Sequence, residues 1–271
     1  NLRRKIAPGE RLKLVASPVV EAARVVDVLE SNDQKNLKQA LFQLQKYIKE
    51  APFADEFFAL GGVPTLCNII STVSGNTLAY ALTSLQNLME HDHGWETLSP
   101  QFIDKIVSIL VNETLVNITR PATAVLIRLV CADKSNPTAA IRSYGFGVVL
   151  PTLHADDLNF LPTLIQRLST TDYILQINSL SLLNSLFRHV TDEHREEFIR
   201  MLDALNVRKA ILVLMQAGPV DELVKHVVEF QKLLIGYYHS KKQQMVTAEE
   251  NHQAILEEIW AAAGLQAEKA N

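Results

Sequence analysis

Histidines, cysteines and paired carboxylates do most side-chain chemistry in proteins, and this chain gathers them at only a few places. His91-Asp92-His93 sets two imidazoles around a carboxylate, donor types that suit a metal ion such as zinc. A zinc site needs a third ligand at a compatible spacing, and none follows; Gly94 directly after the triplet marks a polar turn. Tyr144-Gly145-Phe146-Gly147 holds two glycines in the manner of a phosphate-binding loop. The third glycine is missing and no strand–loop–helix unit precedes it, so the backbone cradle that phosphate requires is not encoded. Asp192-Glu193-His194-Arg195-Glu196-Glu197 lines up six charged or titratable residues. At the start of a helix such acids complement the positive end of the peptide dipoles, and Asp156-Asp157 has the same explanation. No nucleophile elbow, His-Glu-x-x-His helix or Walker sequence occurs. The expectation is a chain without catalytic, cofactor-binding or metal-binding residues, and not an enzyme.

Composition narrows the remaining classes. The 271 residues carry a formal charge of −4, and Arg3-Arg4-Lys5 and Lys241-Lys242 are the only basic clusters, so general electrostatic binding of nucleic acid is not expected. Hydrophobic residues make up 48% with only 10 glycines and 7% aromatics, a balance that suits helix packed on helix and offers few stacking platforms for bases. No apolar run approaches the roughly 20 residues of a membrane span. Cys67 and Cys131 both fall in apolar helical stretches, which fits two buried thiols in a reducing cytoplasm rather than a disulfide framework. The first residue is Asn1, as expected of a segment cut from a longer chain.

The elements that must position any site show a repeat. An aliphatic pair closing on leucine recurs as Leu41 to Leu44, Leu85 to Leu88, Leu126 to Leu129, Leu183 to Leu186 and Phe230 to Leu233. The closing leucines are separated by about 40 to 47 residues except between Leu129 and Leu186, the period of armadillo and HEAT repeats. The wider gap predicts an insertion of about 10 to 16 residues around 144–159 on that period. Shorter helices precede each of these, over 63–70, 102–110, 161–168 and 207–215. Ser17-Pro18 opens a helix with proline at its first position, Ser31 with Gln34 and Thr247 with Glu250 read as capping boxes, and Ser99-Pro100 and Gly218-Pro219 punctuate loops. The expected fold is all-α, an armadillo/HEAT-like right-handed helical solenoid of about five repeats over 17–247. Residues 1–16, with alternating Leu12 and Leu14, read as the trailing strand of an upstream domain or a linker, and 248–271 as a capping or linker helix.

Armadillo proteins that bind extended peptides, such as importin-α and β-catenin, carry a Trp and an Asn four residues apart on each inner helix. The matching pairs here are Thr83/Asn87, Ala124/Arg128 and Ser181/Ser185, with one asparagine and no tryptophan, so that function does not carry over. A closer likeness lies in Phe53-Ala54-Asp55-Glu56-Phe57 with Leu60-Gly61-Gly62-Val63, in Leu88 through Ser99, in Phe102-Ile103-Asp104-Lys105-Ile106-Val107 and in the charged turn at Asp192. In their order and spacing these segments resemble the armadillo region of the ELMO (engulfment and cell motility) family, and Leu12-Lys13-Leu14 with Ser17-Pro18 resemble the tail of that family's upstream ubiquitin-like domain and its junction. The resemblance implies a scaffold that works with a DOCK-type exchange factor, through parts outside this segment, to activate Rac in actin remodelling. It implies a small GTPase of Rho or Arf-like type as a partner, and autoinhibition by contact with an intramolecular C-terminal half. It also implies a cytoplasmic protein recruited to the plasma membrane or cell cortex by partners. No cofactor, no nucleic acid and no transmembrane segment are expected. Thr83, Asn87, Arg128, Ser185 and Lys232 are the residues that the repeat frame places on the concave, protein-binding face. The alternative is the GTPase-responsive armadillo regulatory domain of a diaphanous-type formin.

Overall fold

The computed structural model describes residues 17–31, 33–154, 159–243 and 250–264. The expected remnant at 1–16, the pair Asp156-Asp157 and the cap at Thr247 lie outside the described residues. Among the described residues every regular element is helical. The chain divides into two compact units, the first ending at Phe230 and the second beginning at Gln231.

The first unit is built repeat by repeat. α1 (Pro18–Glu30) and α2 (Gln34–Tyr47) form an opening pair; α3 (Ala51–Ala59), α4 (Gly62–Thr72) and α5 (Gly75–Met89) form the first complete trio. A short 3-10 turn at Trp95–Thr97 then takes the place of a first helix before α6 (Pro100–Asn112) and α7 (Val116–Val130). α8 (Ala139–Arg142), a 3-10 turn at Phe146–Val148 and α9 (Leu150–His154) precede α10 (Phe160–Arg167) and α11 (Tyr173–His189). α12 (Asp192–Ala204), α13 (Val207–Gln216) and α14 (Asp221–Gln243) close the series, α14 running on into the second unit.

Packing sorts these helices into rows. α1, α4, α6, α10 and α13 each lie against the next, and α2, α5, α7 and α11 do the same. No single repeat encloses its own apolar face, so the core is continuous from one repeat to the next. The recurring leucines sit in that core: Leu44, Leu85, Leu88, Leu129 and Leu186 are no more than 1% exposed. Each such burial contributes about 2 kcal/mol against solvent exposure. Proximity in sequence builds the row by adding one helix at a time.

Helix ends follow local chemistry. Ser99 caps α6, its hydroxyl accepting from the Phe102 amide at 3.2 Å, and Pro100 opens the first turn, where a missing N–H costs nothing. Asp33, not Ser31, is the N-cap of α2: its Oδ1 accepts from the Lys35 amide at 3.0 Å. Ser31 instead ends α1, its hydroxyl donating to the Val28 carbonyl at 2.8 Å. A carboxylate two positions nearer the first turn outcompetes the hydroxyl for the unpaired amides.

α3 and α4 together have enough apolar residues to cross a membrane, but they turn by 87° at Gly61-Gly62 and bury Phe53, Phe57, Leu66 and Ile70 in the core. Among the described residues no single helix is long and apolar enough to span a bilayer. Gly61 adopts φ 73°, the left-handed region open to glycine. At Gly62 a Cβ would sit 2.5 Å from the Phe57 ring.

The insertion starts earlier than its leucine spacing suggests. α7 ends at Val130 and α10 begins at Phe160, so α8, the second 3-10 turn and α9 all occupy that interval. Phe146 and Val149 are buried at 3% and 0% exposure, which makes the segment part of the core rather than an external loop.

The second unit comprises the end of α14 and α15 (Glu250–Ala262). Tyr237 and Tyr238 meet edge to face at 5.1 Å in α14, and α15 exposes Ile255, Leu256, Ile259 and Trp260.

Candidate functional site

A buried interior helix of a stacked row keeps one narrow stripe for solvent. On α5 that stripe is Asn76, Tyr80, Thr83 and Gln86; on α7 it is Asn117, Arg120 and Ala124; on α11 it includes Tyr173, Ile177 and Ser181. The Asn117 amide donates to Asn76 Oδ1 at 3.0 Å, tying the α5 and α7 stripes together near their N-terminal ends. α2, first in the row, exposes a wider face. Its Phe42 ring meets Tyr80 edge on at 5.3 Å, and the Lys46 ammonium lies 4.1 Å above the Phe42 ring centre.

The five residues expected at the binding face occupy different environments. Thr83 is on the α5 stripe, its hydroxyl donating to the Ala79 carbonyl at 2.8 Å. Asn87 is turned inward: it is 6% exposed, and its amide donates to the Gln45 carbonyl at 3.0 Å, near the end of α2. Arg128 reaches back in the same sense, donating to the Met89 carbonyl at 3.3 Å and pairing with Glu90 at 3.3 Å. Both side chains donate to carbonyls at the C-terminal end of the preceding inner helix, where intrahelical partners run out. Ser185 is 8% exposed and donates to Ser181 within its own helix at 3.0 Å. Lys232 is exposed on α14, in the second unit. The structure thus places Thr83 in an open position and gives Asn87 and Ser185 to the interior.

The residues singled out for chemistry have structural partners. His93 Nε2 lies 2.8 Å from Asp55 Oδ1, and its ring stacks on Phe58 at 4.7 Å, which joins the turn after α5 to α3. Among the described residues no three metal-ligating side chains converge. Cys67 is buried, and desolvation pushes its thiol up to about 11, only partly countered by the Thr97 hydroxyl at 3.8 Å. Cys131 is half-buried rather than buried, because it sits past the last turn of α7; burial still raises its thiol. A raised thiol is poor in thiolate, so neither cysteine is an activated nucleophile. Asp192 and Glu193 form the first turn of α12, where Arg195 pairs with Asp192 at 3.0 Å.

Sequence patterning missed the Phe42–Tyr80 pair and the buried Arg167. Arg167 Nη2 donates to the carbonyls of Leu110 and Glu113, both at 2.6 Å, closing the end of α6 from the next repeat, and burial draws its pKa below the usual arginine value. A tally of charge helix by helix would have found the aromatic and cationic surface of α2; no local signal marks Arg167.

Stacked rows of this kind define an armadillo-like helical solenoid. Known proteins agree. The model of the ELMO armadillo-like helical domain matches residues 52–216, and the chain belongs to that family. It is 28% identical over 242 residues to human engulfment and cell motility protein 3, covering 87% of this chain and 32% of the relative, and 30% identical to the Bos taurus protein of that name, covering 87% and 35%. It is also 29% identical over 189 residues to Dictyostelium discoideum Formin-C, covering 66% of this chain and 15% of the relative. The chain thus spans about a third of the length of the engulfment and cell motility relatives. Among solved structures, Formin1 of E. histolytica bound to EhRho1-GTPγS shares the fold with a TM-score of 0.59 at 13% identity, over 83% of this chain and 79% of that one.

Proposed function

We propose that this chain is the regulatory armadillo segment of an ELMO-type scaffold, acting by binding rather than catalysis. It receives a small GTPase of Rho or Arf-like type, and in its resting state contacts a C-terminal half of the same protein. GTPase binding favours the open arrangement, and a DOCK-type exchange factor held by other parts of the protein then acts on Rac at the cell cortex. A ligand shifts such an equilibrium only by its difference in affinity for the two states, so the GTP-bound partner must prefer the open one. Family membership across 52–216 is the observation that carries this reading. Likeness to Formin-C and to a Rho-bound formin supports the GTPase component, and it also favours a second reading, a formin regulatory domain that answers to Rho. Thr83 and Arg128 are the proposed contact residues of the first unit and Lys232, by itself, that of the second, because their side chains reach solvent at least in part.

The test is a pull-down of this segment with Rho-type and Arf-like GTPases loaded with GTPγS or GDP. Binding that depends on GTPγS is expected. Equal binding of both nucleotide states, or of neither, overturns the regulatory reading.

A further inference from the structure

The stacked inner helices α2, α5, α7 and α11 carry Lys35, Lys38, Lys46, Arg120, Arg128 and Arg188 and not one Asp or Glu, whereas α14, which holds the last copy of the leucine pattern, carries Asp221, Glu222 and Glu229. The whole chain is acidic, with 30 Asp and Glu against 26 Lys and Arg, so outside these helices 20 basic residues face all 30 acids. Segregation this complete is not required by packing, because these cations are on solvent stripes rather than in the core. Two of the six are already neutralised by neighbouring elements: Arg128 by Glu90 at 3.3 Å, and Arg188 by Glu229 on α14. Asp33, at the start of α2, is occupied by the Lys35 and Asn36 amides. Among the described residues no carboxylate pairs with Lys35, Lys38, Lys46 or Arg120.

Three of these four surround an aromatic pair made of exposed Phe42 and part-buried Tyr80. Phe42 is 41% exposed, and with Tyr80, Lys35, Lys38 and Gln39 it lines an open cavity of about 360 Å³ between α2 and α5. Lys46 covers the Phe42 ring. An apolar floor with cations at its rim suits a ligand with one apolar side chain among carboxylates. Burying that side chain on the rings supplies hydrophobic energy, and the lysines supply charge complementarity that selects the partner and speeds encounter.

We infer that the α2–α5 cavity and the adjoining stripe of α7 form a docking surface for an acidic peptide segment that carries an aromatic or large aliphatic residue. The apolar side chain seats on Phe42 and Tyr80, while its carboxylates meet Lys35, Lys38 and Arg120. A nucleic acid needs a broad positive footprint to displace counterions, and an anionic membrane attracts an extended basic surface; here both would meet the acidic remainder of the domain. The inference stands on charge placement and does not depend on the GTPase reading.

Fluorescence anisotropy with short labelled peptides tests it. The probe combines Glu and Asp with a central Phe; controls replace the acids by Lys, or Phe by Ser. The acidic Phe peptide is expected to bind, with an affinity that falls as salt screens the charges. The Lys control should not bind, and the Ser control should bind several-fold more weakly. Lys35→Glu with Lys38→Glu should weaken the acidic peptide roughly tenfold or more, and Phe42→Ala by several-fold. Lys209→Glu, at an exposed position of α13, should leave it unchanged. Circular dichroism checks folding, and the milder Lys35→Gln with Lys38→Gln pair repeats the measurement if the reversed pair unfolds. Binding insensitive to both lysine pairs, no binding of the acidic peptide, or tighter binding of single-stranded oligonucleotide or phosphatidylserine vesicles overturns the inference.

Discussion

The hydroxyl of Tyr144 points at the backbone of Trp95, 2.6 Å from its carbonyl oxygen and 2.9 Å from that of Leu98, while the two rings tilt together at 5.5 Å. A residue from the inserted segment thereby ties down the turn that stands in for a missing first helix in the preceding repeat. Burial and the nearby Glu96 push the tyrosine hydroxyl up, so it remains a donor through the neutral range.

Removing only that hydroxyl by Tyr144→Phe leaves two buried carbonyls short of a donor and should cost about 1–2 kcal/mol. Tyr144→Ala also removes the ring and should cost about 3–5 kcal/mol. Urea unfolding followed by circular dichroism measures both. A loss below a few tenths of a kcal/mol for the Phe variant would show that the contact is incidental.

Gly62 is held to hydrogen by the Phe57 ring, which comes within 2.5 Å of the place a Cβ would take. Phe57 is fully buried and has no room to retreat. Gly62→Ala should therefore destabilise by about 1–3 kcal/mol through overpacking, although alanine is the better helix former. Combining it with Phe57→Leu should recover part of the loss beyond additivity, measured as a double-mutant cycle on midpoints of denaturation.

Asn87 and Arg167 perform the same service for different helices, supplying N–H groups to carbonyls at the ends of α2 and α6. Asn87→Ala should cost about 1–2 kcal/mol, and Arg167→Ala about 2–4 kcal/mol, since it strips two acceptors at once and opens a void. Neither substitution should alter peptide or GTPase binding at matched folded fraction. A selective loss of binding in stable Asn87→Ala would return that residue to the interaction face.

Cys67 makes stability depend on alkaline pH. Its thiol is held at about 11 in the folded chain, whereas an unfolded cysteine titrates near 8.5. The folded state thus keeps its proton where the unfolded state has lost it. The contribution is complete below about pH 8.5 and is lost as pH rises towards 11, reaching about 3 kcal/mol at the top of that window. Thermal melts of the parent and of Cys67→Val across pH 8 to 11 check it; the valine variant should show the shallower decline. In the native state at pH 8, half-buried Cys131 should react with iodoacetamide before Cys67 does.

Much of the fold was legible without coordinates. The apolar spacing that closes on Leu44, Leu88, Leu129 and Leu186 marks the inner helices, because only a helix with one face against its neighbours repeats in that way. The proline start at Pro18 and the helix end at Gly61-Gly62 were also visible, since backbone restriction acts within a few residues, whereas Ser99-Pro100, which reads as a loop, caps and opens α6. The cap at Ser31 was misplaced by two residues, as Asp33 competes for the same amides.

The interaction face was less legible. A repeat frame assigns Asn87 to a helix side, but the Gln45 carbonyl that claims its amide lies 42 residues away and becomes a partner only when α2 packs on α5. The aromatic pair Phe42 and Tyr80 is likewise made by packing, and so is the capture of α6 by Arg167. By itself the sequence determined the helices, their period and the charge that each one carries, all of which follow from local spacing and residue type. Only the tertiary structure decided which polar groups are consumed between helices and which stay open to a partner, because a hydrogen bond across repeats depends on where two distant backbones come to rest.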